Sequence, residues 1–269
     1  MNQVSRALTE FQEMDALAAM DTPIHRLHPL VKLLTTVVYI FLTVSFDKYD
    51  LTGLIPMVLY PALLFSITGI PVGTCFHKLR AVVPLVCAVG IVNPFLDREV
   101  LLQVGALSVS GGVISMLTLM CKGIFALMAS FLLIATTSMD AICMALRKMH
   151  VPGMIVTLLL LTYRYVSVMI EEVSVMTDAY HLRAPGQKGI HYRAWGSFVG
   201  QLLLRSMDRA TELYQSMQLR GFQGEFSYVA APPLRGRDWA YFCGMAAGCL
   251  ALRFVPVAEL LGGMVISVD

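Results

Sequence analysis

The chain has 269 residues, 57% of them hydrophobic and only 14% charged, with a formal net charge of +2. Soluble domains carry about a quarter charged residues, so this balance, with a mean hydropathy of +0.70, excludes an ordinary water-soluble globule and predicts an all-α integral membrane protein. The small net charge gives no support to a nucleic-acid partner.

Residues 1–29 read as an N-terminal segment, amphipathic or looped, that ends at His28-Pro29. Its mixed charges (Arg6, Glu10, Glu13, Asp15, Asp21, Arg26) leave no uninterrupted apolar core for a cleavable signal peptide. A membrane domain over 30–137 follows, with four predicted spans at Leu30–Phe46, Leu51–Gly69, Ala81–Leu96 and Val113–Thr137. The polar turn Asp47–Asp50, the breakers Pro71 and Gly73 with the basic loop His77–Arg80, and the Asp97–Glu99 stop separate them.

From Ser138 the texture changes. Eleven Lys and Arg residues fall between Ser138 and Asp238, from Arg147 to Arg237, and this 138–238 stretch reads as a domain of long amphipathic helices. Met154–Tyr163 is apolar for only about ten residues before Arg164, short of a bilayer crossing, and Glu171 and Glu172 follow. Five spans are therefore preferred to six. Leu203, Met207, Ala210, Tyr214 and Met217 recur at helical spacing along one face. Arg205, Asp208, Arg209 and Glu212 fall on other faces, where opposite charges three or four apart can pair, and Gly221 supplies a stop. The last span is Trp239–Val255, within a final 239–269 segment, with Trp239 and Tyr241 as interfacial anchors. The positive-inside rule places the basic domain and the N-terminus in the cytoplasm.

Few residues suggest chemistry. The six cysteines (Cys75, Cys87, Cys121, Cys143, Cys243, Cys249) form no CxxC pair and read as small buried hydrophobes. His25 and His28 are three apart, but no cysteine or carboxylate beside them completes a ligand set, so no metal or cofactor is expected. There is no carboxylate in mid-span, no glycine-rich phosphate loop and no GxSxG, and no catalytic residue is assigned. Lys122 is the ionisable group deepest in a span, where it costs about 2.5–3.5 kcal/mol. It reads either as a snorkelling side chain or as a contact to a neighbouring subunit. Arg183 and Arg220 each end a predicted helix, in TDAYHLRAPG and YQSMQLRGFQG. Either they complement the helix dipole, or they project guanidinium forks toward carboxylates of a partner.

Four stretches, HRLHPLVKLL at 25–34, TTSMDAICMALRKMHVP at 136–152, LLLTYRYVSVMIEE at 159–172 and RSMDRATELYQSMQLRGFQGE at 205–225, resemble the T component of energy-coupling-factor (ECF) transporters. The resemblance is to the cobalt-transport, CbiQ-like type. It implies several membrane helices with crossed cytoplasmic coupling helices in the cell membrane. The partners it implies are two ABC-type ATPase subunits, which hydrolyse the ATP, and a membrane S component that captures substrate. Two Ala-Arg-Gly-like motifs of that family dock in the ATPases. The second corresponds to Leu219, Arg220 and Gly221, with leucine for alanine, and the first keeps Arg183 between Leu182 and Ala184-Pro185 without the adjacent glycine. Cobalt is the implied substrate, with nickel or a vitamin as alternatives. An integral-membrane enzyme acting on a lipid-like substrate would have only Lys122 and Asn93 to work with. A scaffold with no transport role would have partners lacking nucleotide-binding folds.

Overall fold

The computed structural model describes residues 3–80, 82–96, 100–104, 107–187, 189–224 and 233–254. The chain divides into two compact units, Met1–Ala18 with Ser138–Ala231 and Ala19–Thr137 with Pro232–Asp269. The N-terminal segment expected as one piece is thus shared between the two. The expected stop at Asp97–Glu99, Lys188 and the end of the last span at Val255 lie outside the described residues.

The second unit contains the apolar helices. α2 (Pro29–Val44) begins where Pro29 occupies the first turn, a position that has no hydrogen bond to lose. α3 (Leu51–Leu54) passes through a 3-10 turn at Ile55–Val58, which contains Pro56, into α4 (Leu59–Thr68). α5 (Val72–Leu79) and α6 (Val83–Leu96) follow. A short antiparallel hairpin, β1 (Val100–Val104) with β2 (Leu107–Ser110), leads into α7 (Gly111–Thr136). α11 (Gly236–Phe254) completes the unit. The architecture is all-α apart from this hairpin.

Small residues let α6 and α7 approach closely. A Cβ on Gly123 would lie 2.6 Å from Val86 Cγ1, and one on Gly90 would lie 3.0 Å from Met120 Cγ. Asn93 Nδ2 donates to Ser115 Oγ at 3.1 Å across the same seam. Buried threonines return their hydroxyls to the carbonyl four residues back, as Thr35 does to Val31 at 2.8 Å and Thr43 to Tyr39 at 2.8 Å. The Tyr39 hydroxyl donates to Met57 O at 2.9 Å within the 3-10 turn, and its ring stacks on Tyr60 of α4 with centroids 4.2 Å apart.

Charges hold the ends of α2. Buried Asp238 accepts from His28 N at 3.2 Å and from Arg235 N at 2.9 Å, so one carboxylate serves the N-termini of α2 and α11. At the other end Lys122 donates to the carbonyls of Val44 and Phe46, and Arg253 Nη2 donates to Ser45 O at 3.0 Å. Lys32 (5% exposed) donates to Thr136 O at 2.6 Å, at the end of α7.

These bonds fix directions. α11 runs parallel to α2, because residues 238 and 253 meet 28 and 45. α7 runs antiparallel to it, because residues 122 and 136 meet 44–46 and 32. The end of α7 and the start of α11 therefore share one face of the unit, and the residues between them return to the side they left.

The first unit has α1 (Gln3–Ala18), α8 (Met139–Lys148), α9 (Gly153–Arg183) and α10 (Tyr192–Leu219). Ser138 caps α8 through its Oγ, which accepts from Ala141 N at 3.4 Å. Asp140 lies in the first turn of α8 and Arg147 and Lys148 in its last, matching the dipole at both ends. α8 and α1 both pack on α9. By length and composition Leu51–Thr68, α7, α9 and, taken together, α5 with α6 could each cross a bilayer, while α2 is a shorter apolar helix.

Lys32→Met leaves the Thr136 carbonyl without its donor, a cost of about 1–3 kcal/mol for a buried acceptor. Unfolding in detergent should show a lowered midpoint, and a midpoint at or above that of the parent would mean that the cation is dispensable.

Candidate functional site

The two arginines marked by the sequence close the two longest helices of the first unit. α10 runs to Leu219 without a proline, and the backbone of Gly221 ends it at φ +79°. A residue with a Cβ avoids that left-handed region by about 1–2 kcal/mol. Phe222 N donates to Met217 O at 3.0 Å and Gly221 N to Gln218 O at 2.9 Å. This is the six-to-one, five-to-two pattern of a Schellman end. The chain turns away directly after Arg220, so Leu219 (91% exposed) and Arg220 stand at the outermost turn.

The end of α9 is built differently. Pro185 cannot continue the helix, and Ala184 N donates to Tyr180 O at 3.0 Å. The left-handed glycine comes only at Gly186, φ +92°, so the missing neighbour of Arg183 reappears three residues later. The Tyr180 hydroxyl organises the connection, donating to Gln187 Oε1 at 2.9 Å and accepting from His191 N at 3.2 Å. His191 in turn caps α10 through Nδ1, which accepts from Arg193 N at 3.3 Å.

Both ends thus read Leu-Arg, with Leu182 and Leu219 among the most exposed apolar side chains and both arginines exposed. Neither guanidinium has a hydrogen-bond or ion-pair partner among the described residues. Arg205 of α10 pairs with Glu172 of α9, not with the carboxylates Asp208 and Glu212 of its own helix as the spacing suggested. That pair marks where the helices meet. Arg183 lies eleven residues beyond it (183 − 172) and Arg220 fifteen (220 − 205), or about 16 Å and 22 Å of helix at 1.5 Å per residue. The stripe at Leu203, Met207 and Tyr214 is left exposed, and only its last member, Met217, is buried.

An exposed leucine beside an unpaired guanidinium suits a groove that offers an apolar wall and a carboxylate.

The remaining candidates are engaged elsewhere. The Lys122 ammonium donates to two carbonyls at the end of α2, those of Val44 and Phe46. His25 bonds Thr22 Oγ1 at 2.7 Å and Ala135 O at 3.3 Å, and His28 Nδ1 accepts from Leu30 N at 3.1 Å. Asn93 bridges α6 and α7, away from Lys122's partners. Among the described residues no three His, Cys, Asp or Glu side chains converge as a metal site. Sequence reasoning overlooked Lys32 and Asp238. Their signals were a cation in the first turn of an apolar helix and an acid at the third position of another.

A profile of the family described as CbiQ, cobalt transport protein, matches residues 20–228. The chain is 31% identical over 102 residues to a protein named cobalt transport protein CbiQ from Rhodobacter capsulatus, covering 38% of this chain and 42% of that one. It is 29% identical over 104 residues to one named nickel permease LarQ from Lactiplantibacillus plantarum, covering 39% and 38%. To the energy-coupling factor transporter transmembrane protein EcfT of Bacillus subtilis it is 23% identical over 219 residues, covering 75% and 81%. The matches to the first two span only about four-tenths of those proteins.

Gly221→Ala should fray the end of α10. Nothing lies within 4 Å of the added Cβ, so the cost is that of the backbone conformation alone, about 1–2 kcal/mol. Amide exchange at Gly221 and Phe222 should accelerate while the middle of α10 is unchanged, and unaltered exchange would show that another residue sets this end.

Proposed function

The chain belongs to the cobalt transport protein (CbiQ) family, and from that premise we propose that it is the T component of an ECF importer, a multi-pass membrane subunit that couples ATP hydrolysis in partner subunits to uptake of a transition-metal cation. The observation that carries this reading is the pair of exposed Leu-Arg helix ends, Leu182-Arg183 and Leu219-Arg220, whose guanidinium groups have no partner among the described residues, on helices that meet at Arg205–Glu172.

Each end enters a groove on one of two ATPase subunits. Leu219 fills an apolar wall, Arg220 pairs with a carboxylate, and the glycine-closed turn at Gly221 keeps the following chain clear of the groove. ATP-driven closure of the ATPases displaces the two tips. Helices of 31 and 28 residues carry that displacement through their crossing to the surface that meets a membrane S component. Nucleotide biases an equilibrium between states, and the T component supplies the rigid link between two sites that never touch.

The basic 138–238 stretch lies on the cytoplasmic side in this reading, by the positive-inside rule. Two features support its position outside the bilayer despite the apolar first half of α9. Its flanking membrane helices begin and end on one face. α1 also packs on α9 carrying exposed Glu10, Glu13 and Asp15, which would be costly in hydrocarbon.

The family description favours cobalt. The likeness to the protein named nickel permease supports nickel as a second reading, and accumulation of each cation by cells expressing the chain with its cognate S component and ATPases separates the two. Arg220→Glu reverses a charge within a desolvated pair, where loss of one partner costs about 2–5 kcal/mol. ATP-driven cation uptake should fall at least about tenfold, with membrane insertion intact. Normal uptake in that variant would remove Arg220 from the docking role.

A further inference from the structure

The two Leu-Arg ends are closed by different means. After Arg220 the backbone alone makes the turn, with Gly221 as the left-handed residue. After α9 the corresponding position, next to the cap at Ala184, is Pro185. Proline has no N–H and a φ locked near −65°, so it cannot be the left-handed residue of a Schellman end. The reversal comes one step later. Gln187 N donates to Ala184 O at 3.4 Å across Pro185 and Gly186, the latter at φ +92°. Proline followed by a left-handed glycine at the two central positions is the arrangement of a type II turn.

This wider reversal folds back along α9, and it is fastened to one atom. The Tyr180 hydroxyl donates to Gln187 Oε1 at 2.9 Å and accepts from His191 N at 3.2 Å. A phenol has a single hydrogen to give, so it serves here as donor and acceptor at once. The second contact reaches the residue that caps α10, since His191 Nδ1 accepts from Arg193 N at 3.3 Å. One hydroxyl of α9 therefore holds both the turn that follows this helix and the start of the next.

Position around the helix decides what this arrangement leaves open. At 3.6 residues per turn, successive side chains lie about 100° apart, so Leu182 stands about 200° round from Tyr180. The connection is drawn to the Tyr180 side, and Leu182 on the other side is 85% exposed. Released from the hydroxyl, the connection has left-handed glycines at Gly186 and Gly189 (φ +82°) about which to move, and it could fall across the tip.

We propose that Tyr180 is a positioning residue for docking of the first helix end: its hydroxyl holds the α9–α10 connection away from Leu182 and Arg183. At the first end a side chain thus does what the backbone of Gly221 does at the second. This role deepens the docking reading of the preceding subsection and rests on it.

The test uses the full chain in nanodiscs, alone and then titrated with its cognate ATPase subunits. Tyr180→Phe keeps the ring and loses both bonds. In the chain alone, amide exchange at His191 should rise about three- to tenfold, the factor for one net hydrogen bond. Ala184, whose amide donates to the Tyr180 carbonyl, should be unchanged. Gln187→Ala removes one of the two bonds and should give a smaller rise. ATPase affinity should fall by a similar three- to tenfold in Tyr180→Phe. That loss should disappear in an Arg183→Ala background, where the tip it serves is already blunted, and persist in an Arg220→Ala background. Unchanged exchange at His191 would overturn the proposal. So would an affinity loss of the same size with and without Arg183, because the hydroxyl would then act on another surface. If neither Arg183→Ala nor Arg220→Ala weakens ATPase binding, the docking reading fails and the role of Tyr180 falls with it, while the faster exchange at His191 persists.

Discussion

The membrane unit depends on the way α2 is held at both ends by charges of the correct sign. A helix presents about half a positive charge at its N-terminus and half a negative charge at its C-terminus, on groups that have no partner within the helix. In hydrocarbon those groups cannot turn to water. Here Asp238 takes the N-terminal amide of His28, while Lys122 and Arg253 divide the three successive carbonyls of Val44, Ser45 and Phe46. Lys32 performs the same service for the end of α7. The bonds are reciprocal between α2 and α7, since each supplies a lysine to the other's last turn. Sliding either helix by one turn would break both sets at once, so register and direction are fixed together.

That reciprocity explains why ionisable side chains persist in spans where each is expensive. A lysine read from sequence alone is a cost in search of a function, and Lys122 invited a subunit contact for that reason. The matching need, three orphan carbonyls after Val44, is invisible until another helix is known to pass there. Asp238 was equally hidden. It looked like the last polar residue before a span, yet it is buried beneath the turn that begins α2, 210 residues away in sequence. Long-range pairs of this kind leave no periodic signal.

Features that depend on local chain chemistry were legible. Pro29, Gly69 and Gly221 mark ends that the helices observe, and the stripe at Leu203, Met207 and Tyr214 lies on one face of a helix. The α9 region was harder. Its first half is apolar enough to pass for a span, and Arg164, Glu171 and Glu172 argued against a crossing only through their cost. The ion pair of Arg205 shows the opposite limit. Spacing within α10 offered it Asp208 and Glu212, and Glu172 on a separate helix took it, because a crossing point brings a carboxylate closer than the helix surface does.

The first unit leaves much of its apolar surface uncovered, and particular residues show where. α10 keeps its large apolar side chains at Leu203, Met207 and Tyr214 exposed, and α9 does the same at Met154, Ile155 and Leu158. Burying such side chains contributes roughly 1.5–3 kcal/mol each, and α1 and α8 cover only part of α9. A helix pair joined by one ion pair and few packed side chains has little to hold its crossing angle. The exposed stripe and the Arg205–Glu172 pair belong together: the described residues of the two helices meet at a charge rather than at a packed apolar seam.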